Sequence, residues 1–303
     1  MDQIAALRVF TRIVESGSLA KAAASLNVPR STVSKLLQDL EAHLGVHLIA
    51  RSTRAATITP EGQDYYRDAI RLLRDLDDMD TAARGPSARP TGRLRVDIGS
   101  SLANLVLIPR LSDFVCRFPD IELVLGVSDR SVDLIGDGVD CAIRGGVLSD
   151  SSLIARKLGE LAFVTCAAPA YVERYGLPVT IADLLAEHRA LRYFSASTGT
   201  NFPLRFNEGG QSHELHPRLN VAVNESTAHM TALLSGLGIG QTFEFVARPY
   251  LADGRLVEIF PALQPRPFPL HLVYPAGRAQ SAKLRAFADW AIEIFASTIR
   301  PGA

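Results

Sequence analysis

Apolar residues recur at helical spacing through about the first eighty positions of the chain, then give way to short apolar runs that alternate with helical segments. Ile4, Leu7, Phe10, Ile13 and Val14 share one side of a helix predicted over residues 2–15. Ser18 suits the N-cap of a second helix, 19–26, which Asn27 and Pro29 interrupt before a third begins. Ala22 and Ala23 let these two helices cross closely, and Leu26, Val33, Leu36, Leu37 and Leu40 supply their shared apolar face. The third helix ends at Gly45. A hairpin follows, with strands at 48–49 and 56–59 and with Arg51 and Arg54 at its tip. Thr59 as cap and Pro60 as first helical residue then start a helix that runs to about Ala83. Along it Tyr65, Ala69, Leu72, Leu76, Met79 and Ala83 alternate steps of four and three, the spacing of a coiled-coil dimerisation seam. Tyr66, Ile70 and Leu73 add a second stripe, so one stripe can face the N-terminal helices and the other a partner chain.

The stretch GPSARPTG, 85–92, reads as a hinge. Beyond it, strands are predicted at 93–99, 121–127 and 139–144, with helices at 102–118 and 131–135. A second block has a strand over 161–168, helices at 170–175 and 181–187, and strands near 190–194, 203–206 and 218–223. A helix over 225–235, strands at 238–243, 256–260 and 269–275, and a helix at 282–297 complete it. Such alternation implies α/β subdomains. The last strand and helix are expected to return to the first block, giving two lobes, 93–160 with 268–303 and 161–267, joined by two crossings. A hinged pair of this kind closes on a small ligand.

Net charge is zero over 303 residues, so bulk charge does not hold this protein to nucleic acid, but its distribution is uneven. Through Thr59 the cations Arg8, Arg12, Lys21, Arg30, Lys35, Arg51 and Arg54 outnumber Asp2, Glu15, Asp39 and Glu41; from Pro60 to Asp80 the sign reverses. The start of the third helix presents Arg30, Ser31, Thr32, Ser34 and Lys35, as does a helix that enters a DNA major groove, and the basic hairpin beside it is placed to grip phosphate or the minor groove as a wing.

Phe10, Glu15-Ser16-Gly17-Ser18, Ala22-Ala23, Leu26-Asn27-Val28, Val33-Ser34-Lys35, Leu40-Glu41, Leu44-Gly45, Leu48, Arg51 and Thr59-Pro60-Glu61-Gly62 stand together over about sixty residues. In these the chain closely resembles the LysR-type transcriptional regulators of bacteria. It departs from that family's frequent Ser-Gln-Pro-Ala at Pro29-Arg30-Ser31-Thr32. Looser matches follow at Pro109, Phe118-Pro119, Asp140 to Gly145, Ser151-Ser152-Leu153 and Gly236 to Gly240. The resemblance implies an all-α winged helix-turn-helix head (1–59), a linker helix that pairs subunits (60–84), a hinge (85–92) and an α/β effector domain of two Rossmann-like lobes (93–303), similar to type II periplasmic binding proteins. It also implies promoter or operator DNA as partner, a homodimer or homotetramer, RNA polymerase as a further partner, and a small-molecule effector. Ser18, Arg30, Ser31, Thr32, Ser34, Lys35, Arg51 and Arg54 are the expected DNA-binding residues.

For the effector, Ser100 and Ser101 lie where the first strand meets its helix, and Asn224, Ser226 and Thr227 occupy the equivalent junction in the second lobe. Free N–H groups at such helix starts favour an anion, and since the resemblance implies that effectors bind in this region, a small carboxylate-bearing or aromatic metabolite is expected. Arg144, Gly145, Gly146 and the segment Gln241 to Phe243, with Thr242, are placed to complete the wall, while Arg144 is also suited to an internal ion pair. Cys116, Cys141 and Cys166 each sit in an apolar run and read as three buried thiols suited to a reducing cytoplasm, with a redox-sensing regulator as an alternative. His213-Glu214-Leu215-His216 has too short a spacing for a zinc motif, and Gly236 to Gly240 follows a helix instead of linking a strand to one. No catalytic set, metal site, cofactor motif or membrane span is read from the chain; the competing class is an enzyme or a small-molecule binding module on 93–303, with the N-terminal head serving only for assembly.

Overall fold

The computed structural model describes residues 2–51, 56–83, 89–146 and 153–299. Arg54, residues 85–88 of the hinge, and Ser151 and Ser152 lie outside these. The chain divides into two compact units, one formed essentially by the first 88 residues and the other by the remainder.

The first unit contains α1 (Gln3–Ser16), α2 (Leu19–Leu26), α3 (Arg30–Leu44), β1 (Ile49–Arg51), β2 (Ala56–Ile58) and α4 (Pro60–Ala83). The Asp2 carboxylate caps α1 by accepting the Ala5 N–H at 3.0 Å, and Asn27, at φ 54°, supplies the left-handed residue that stops α2. Ser18 takes the N-cap position of α2, but its hydroxyl makes no capping bond there; its carbonyl accepts the Ala22 N–H. Leu7, Phe10, Ile13, Ala22, Val33, Leu37, Leu40 and Leu48 form the core, with Tyr65 and Tyr66 of α4 packed against it. Phe10 stands 5.8 Å and 6.3 Å from those two rings, centroid to centroid.

One buried carboxylate ties the hairpin to α3. Glu41, 6% exposed, accepts the N–H groups of Leu48 and Ile49 at 2.9 Å and 3.1 Å through one oxygen and stands 3.3 Å from His47 Nδ1 through the other. Thr59 closes the far side: its N–H and hydroxyl both reach the Leu48 carbonyl, and its hydroxyl accepts the Gly62 N–H at 2.9 Å. Gly62 lies so close that a Cβ there would overlap the Leu48 carbonyl oxygen.

The seven-residue stripe of α4 is divided by this packing. Ala69, Ile70 and Leu73 are buried and Tyr65 is half-buried against the core, whereas Leu72 and Met79 are 51% and 61% exposed and Leu76 is half-buried.

The second unit opens with β3 (Gly92–Ile98). A single irregular helical stretch follows, from α5 (Ser100–Leu102) through a π turn and a 3-10 turn to α6 (Leu111–Arg117). It starts two residues before the predicted helix, and its irregular middle contains Pro109, which has no N–H to donate. Next come β4 (Ile121–Val127), β5 (Cys141–Gly145), β6 (Leu153–Leu161), β7 (Phe163–Ala167), α7 (Pro169–Tyr175), α8 (Ile181–Glu187), β8 (Arg189–Tyr193), β9 (Leu204–Glu208), β10 (Gln211–Leu215) and β11 (Arg218–Val223). The chain continues through α9 (Ser226–Leu234), β12 (Gly240–Phe243), α10 (Glu244–Ala252), β13 (Val257–Glu258), β14 (Phe268–Pro275) and α11 (Ala282–Thr298).

β14 returns to the first sheet, whose order is β4-β3-β5-β14-β6. Its helical side buries Phe114, Phe287, Trp290 and Phe295, each worth about 1.5–3 kcal/mol of transfer free energy or more. The second sheet is built from β12-β7-β13 and β11-β8, linked by the Ala190–Ile239 bridge. One local expectation is corrected, and two of the elements left unassigned from the sequence, β6 and α10, are accounted for. Residues 131–135 form no helix, because the chain enters a turn that closes with Val139 N–H on the Leu134 carbonyl and Gly138 at φ 62°. β6 carries Arg156, Lys157 and Glu160 and a bulge opposite Leu270 and His271, which hides its period of two. α10 contains Pro249, whose ring reads as a break in the sequence but falls in its last turn.

The close contact at Gly62 gives a direct test. Gly62→Ala should destabilise the first unit by about 1–3 kcal/mol or more, because α4 and the Leu48 backbone must separate. Calorimetry of the full chain should show this as a lowered first transition, with the transition of the larger unit unchanged.

Candidate functional site

In the first unit α3 presents Arg30, Ser31, Thr32 and Lys35 to solvent, with Ser34 half-buried and Val33 and Leu37 turned inward. Among the described residues neither Arg30 nor Lys35 enters an ion pair, in contrast to Arg8 with Asp77 at 2.7 Å and Arg12 with Glu15 at 3.2 Å. Ser18 is half-buried beside the start of α2, and Arg51 lies on β1. The sequence placed this polar face correctly because the period of α3 assigns each residue a side; it gave no sign that Glu41 would be the carboxylate that fixes the hairpin.

In the second unit a cavity of about 290 Å³ opens between the two sheets. Phe163, Tyr193, Phe202, Phe243 and Phe268 give it an aromatic wall, and Phe163 stacks at a tilt on Phe243 with centroids 4.9 Å apart. Of the residues expected from sequence, Ser101, Arg144, Gly145, Ser226 and Thr242 line it. Ser100, Gly146 and Asn224 lie outside the lining: Gly146 turns at φ 120°, and the Asn224 carbonyl accepts the Tyr193 hydroxyl at 3.0 Å.

The two helix starts meet here, but their N–H groups are not free. Asp129, just past the end of β4, accepts the Ser100 N–H at 2.7 Å through one oxygen and the Ser226 N–H at 2.6 Å through the other. The Ser101 N–H donates to the Ser226 hydroxyl at 2.9 Å. The anion expected at this junction is therefore present as a side chain of the chain itself, Asp129, which was not among the expected residues. A carboxylate directly after a strand, facing two strand-to-helix junctions, was the signal available.

Arg144 is bound to Asp97, and its guanidinium also donates to the Arg130 carbonyl at 3.0 Å, so the internal ion pair is the arrangement formed. Glu225 caps α9. Burial favours its neutral form, yet hydrogen bonds from the Ser100 and Thr227 hydroxyls and from the Thr227 and Ala228 N–H groups outweigh that and lower it to about 2. Tyr193 is pushed up from the usual tyrosine range by burial and by the nearby charge of Asp129. His229, 2% exposed, is lowered to about 4 by burial, with only the Leu191 backbone opposing, and its Nε2 has no hydrogen-bond partner of normal geometry among the described residues.

The thiols divide. Cys141 and Cys166 are buried, and burial raises both, Cys166 to about 12, which suppresses the reactive thiolate. Cys116 is exposed, which corrects the expectation of three buried cysteines. Among the described residues no His, Cys, Asp and Glu cluster suits a metal ion, and no helix is long and apolar enough to cross a membrane.

Residues 4–63 match the bacterial regulatory helix-turn-helix protein, lysR family, and residues 87–296 match the LysR substrate binding domain. An HTH-type transcriptional repressor of Pseudomonas aeruginosa is 36% identical, covering 98% of this chain and 93% of its own. The HTH-type transcriptional regulator CrgA of Neisseria meningitidis is 32% identical over 95% of each chain. A solved structure of CrgA superposes with a TM-score of 0.61 at 31% identity, covering 96% of this chain and 98% of that one. The full-length structure of the Vibrio cholerae virulence activator AphB gives 0.61 at 27%, covering 95% and 98%. With a helix-turn-helix head whose Arg30 and Lys35 stand outside any ion pair among the described residues, and a two-sheet domain enclosing a cavity, the chain belongs to the LysR family of DNA-binding transcriptional regulators.

Proposed function

We propose that this regulator reads a roughly palindromic operator as a dimer or tetramer and couples that reading to a small effector held in the cavity of residues 93–303. The observation that carries it is the start of α3, where two cations and three hydroxyls are presented beside a hairpin fixed by Glu41. Arg30, Ser31, Thr32, Ser34 and Lys35 meet bases or adjacent phosphates; Ser18, Arg51 and Arg54 hold the backbone or minor groove. Residues 1–59 form the reading head, 60–84 the pairing helix and 85–92 the hinge. The protein acts in the cytoplasm, without a cofactor or catalytic turnover of its own, and RNA polymerase is its partner at promoters.

Pairing uses the part of the α4 stripe that the head leaves open, Leu72, Leu76 and Met79. Tyr65 and Ala69 serve the head's own core. A further contact between effector domains is supported by exposed Leu105, Ile108 and Val115 on the first helical stretch and by Leu219 on β11. Effector binding biases lobe closure, and the resulting change in subunit geometry alters how the two heads meet DNA.

Genome-wide mapping of bound sites, followed by footprinting at stated salt, tests the central reading: paired half-sites are expected, and no site above background, with or without metabolite extract, would overturn it. Lys35→Ala and Arg30→Ala should each cost about 1–3 kcal/mol on the operator if the side chain reads a base, with little loss on random DNA. Equal losses on both, with the salt slope reduced by about one, would assign the residue to phosphate instead. Leu72→Lys with Met79→Lys should reduce the oligomer in sedimentation analysis while each chain keeps its folded spectrum. An unchanged oligomer would remove α4 from the interface.

A further inference from the structure

We propose that the cavity takes an uncharged, one-ring aromatic compound carrying a single hydrogen-bonding group, with the imidazole of His229 as its polar partner; this rests on the effector reading of the cavity. The charged groups around the cavity are already paired. Asp129 fills the seat that two helix starts would offer to a ligand anion. Arg144 is committed to Asp97 and the Arg130 carbonyl, and Arg205 to Glu214 at 3.0 Å. Among the described residues that line the cavity, an entering carboxylate would find no unpaired cation, and Asp97, Asp129 and Glu225 would repel it.

The neutral polar groups are mostly committed as well. Gln241 accepts the Arg205 N–H at 2.8 Å and donates to the Thr165 hydroxyl at 2.9 Å and to the Arg205 carbonyl at 2.5 Å. Ser101 and Thr242 offer hydroxyls that impose no charge. His229 remains, buried and lining the cavity, its ring helped only by the Leu191 backbone and its Nε2 without a hydrogen bond of normal geometry among the described residues. A buried polar atom of this kind costs free energy until something pairs with it, so a ligand donor or acceptor placed there is recognised by relief of that cost. Its ring stands edge-on to Tyr193, which itself stacks on Phe202, so the polar point is set among flat apolar faces. The volume sets the size. An apolar cavity of roughly 150 Å³ holds benzene, so about 290 Å³ leaves room for one ring and a short substituent.

The test is calorimetric titration of the full chain, at neutral pH and fixed salt, with benzyl alcohol, benzoate, benzylamine and toluene. Benzyl alcohol should bind at least about tenfold tighter than either charged compound. His229→Phe should weaken benzyl alcohol by about fivefold, the size of one hydrogen bond, while toluene is unaffected. Asp129→Ala should improve benzoate by vacating the anion seat. Tighter binding of benzoate or benzylammonium to the unaltered protein overturns the ligand class but leaves the cavity as an effector site. Equal loss of benzyl alcohol and toluene in His229→Phe, or no gain of benzoate in Asp129→Ala, overturns the roles given to those residues. No binding by any of the four up to their solubility overturns the ligand class and the effector reading together.

Discussion

The carboxylate of Asp129 is the constraint on which the ligand-facing half of this protein depends. Both helix starts direct backbone N–H groups at one point, and both would carry an uncompensated partial positive charge there. A single side chain answers both, with two bonds of 2.7 Å and 2.6 Å from different sheets' helices. Everything else in the cavity is arranged around a centre that is already neutralised. The lining arginines are paired with Asp97 and Glu214, and Glu225 folds back onto its own helix start. What is left facing the space is ring surface, two hydroxyls and an imidazole.

This explains which parts of the function could be read from the amino-acid order. The head was legible because its signals are local: a cap, a left-handed Asn27, a period that sorts Arg30 from Val33, and Thr59-Pro60 starting a helix. The cavity is a meeting of distant segments, and its deciding residues are set by long-range pairing that no local pattern encodes. Ser100 and Ser226 were found from their position at strand-to-helix junctions, but Asp129, which joins them across 29 and 97 positions, was not. The same holds for β6, whose alternation is broken by a bulge and whose place in the sheet is fixed by β14, more than a hundred residues later.

The α4 helix shows a different limit. A run of apolar residues at steps of four and three states that a face will be covered, and does not say by what. The fold divides that face: Tyr65 and Ala69 are spent on the core under Phe10, while Leu72 and Met79 stay in water. Sequence alone cannot separate these two uses, because burial against one's own domain and burial against a neighbour demand the same residue types.

The clamp at Glu41 carries a mechanical consequence. Its carboxylate holds the backbone of the hairpin to the far end of the recognition helix, Thr59 closes the other side, and Gly62 allows α4 to press directly on the same carbonyl. Among the described residues, α3, the two hairpin strands and the start of α4 therefore meet at one point and are braced against one another. In the dimer or tetramer proposed above, a signal would leave these braced parts as they are and change where the whole head is held, and two heads on one operator would measure that change as distance and tilt.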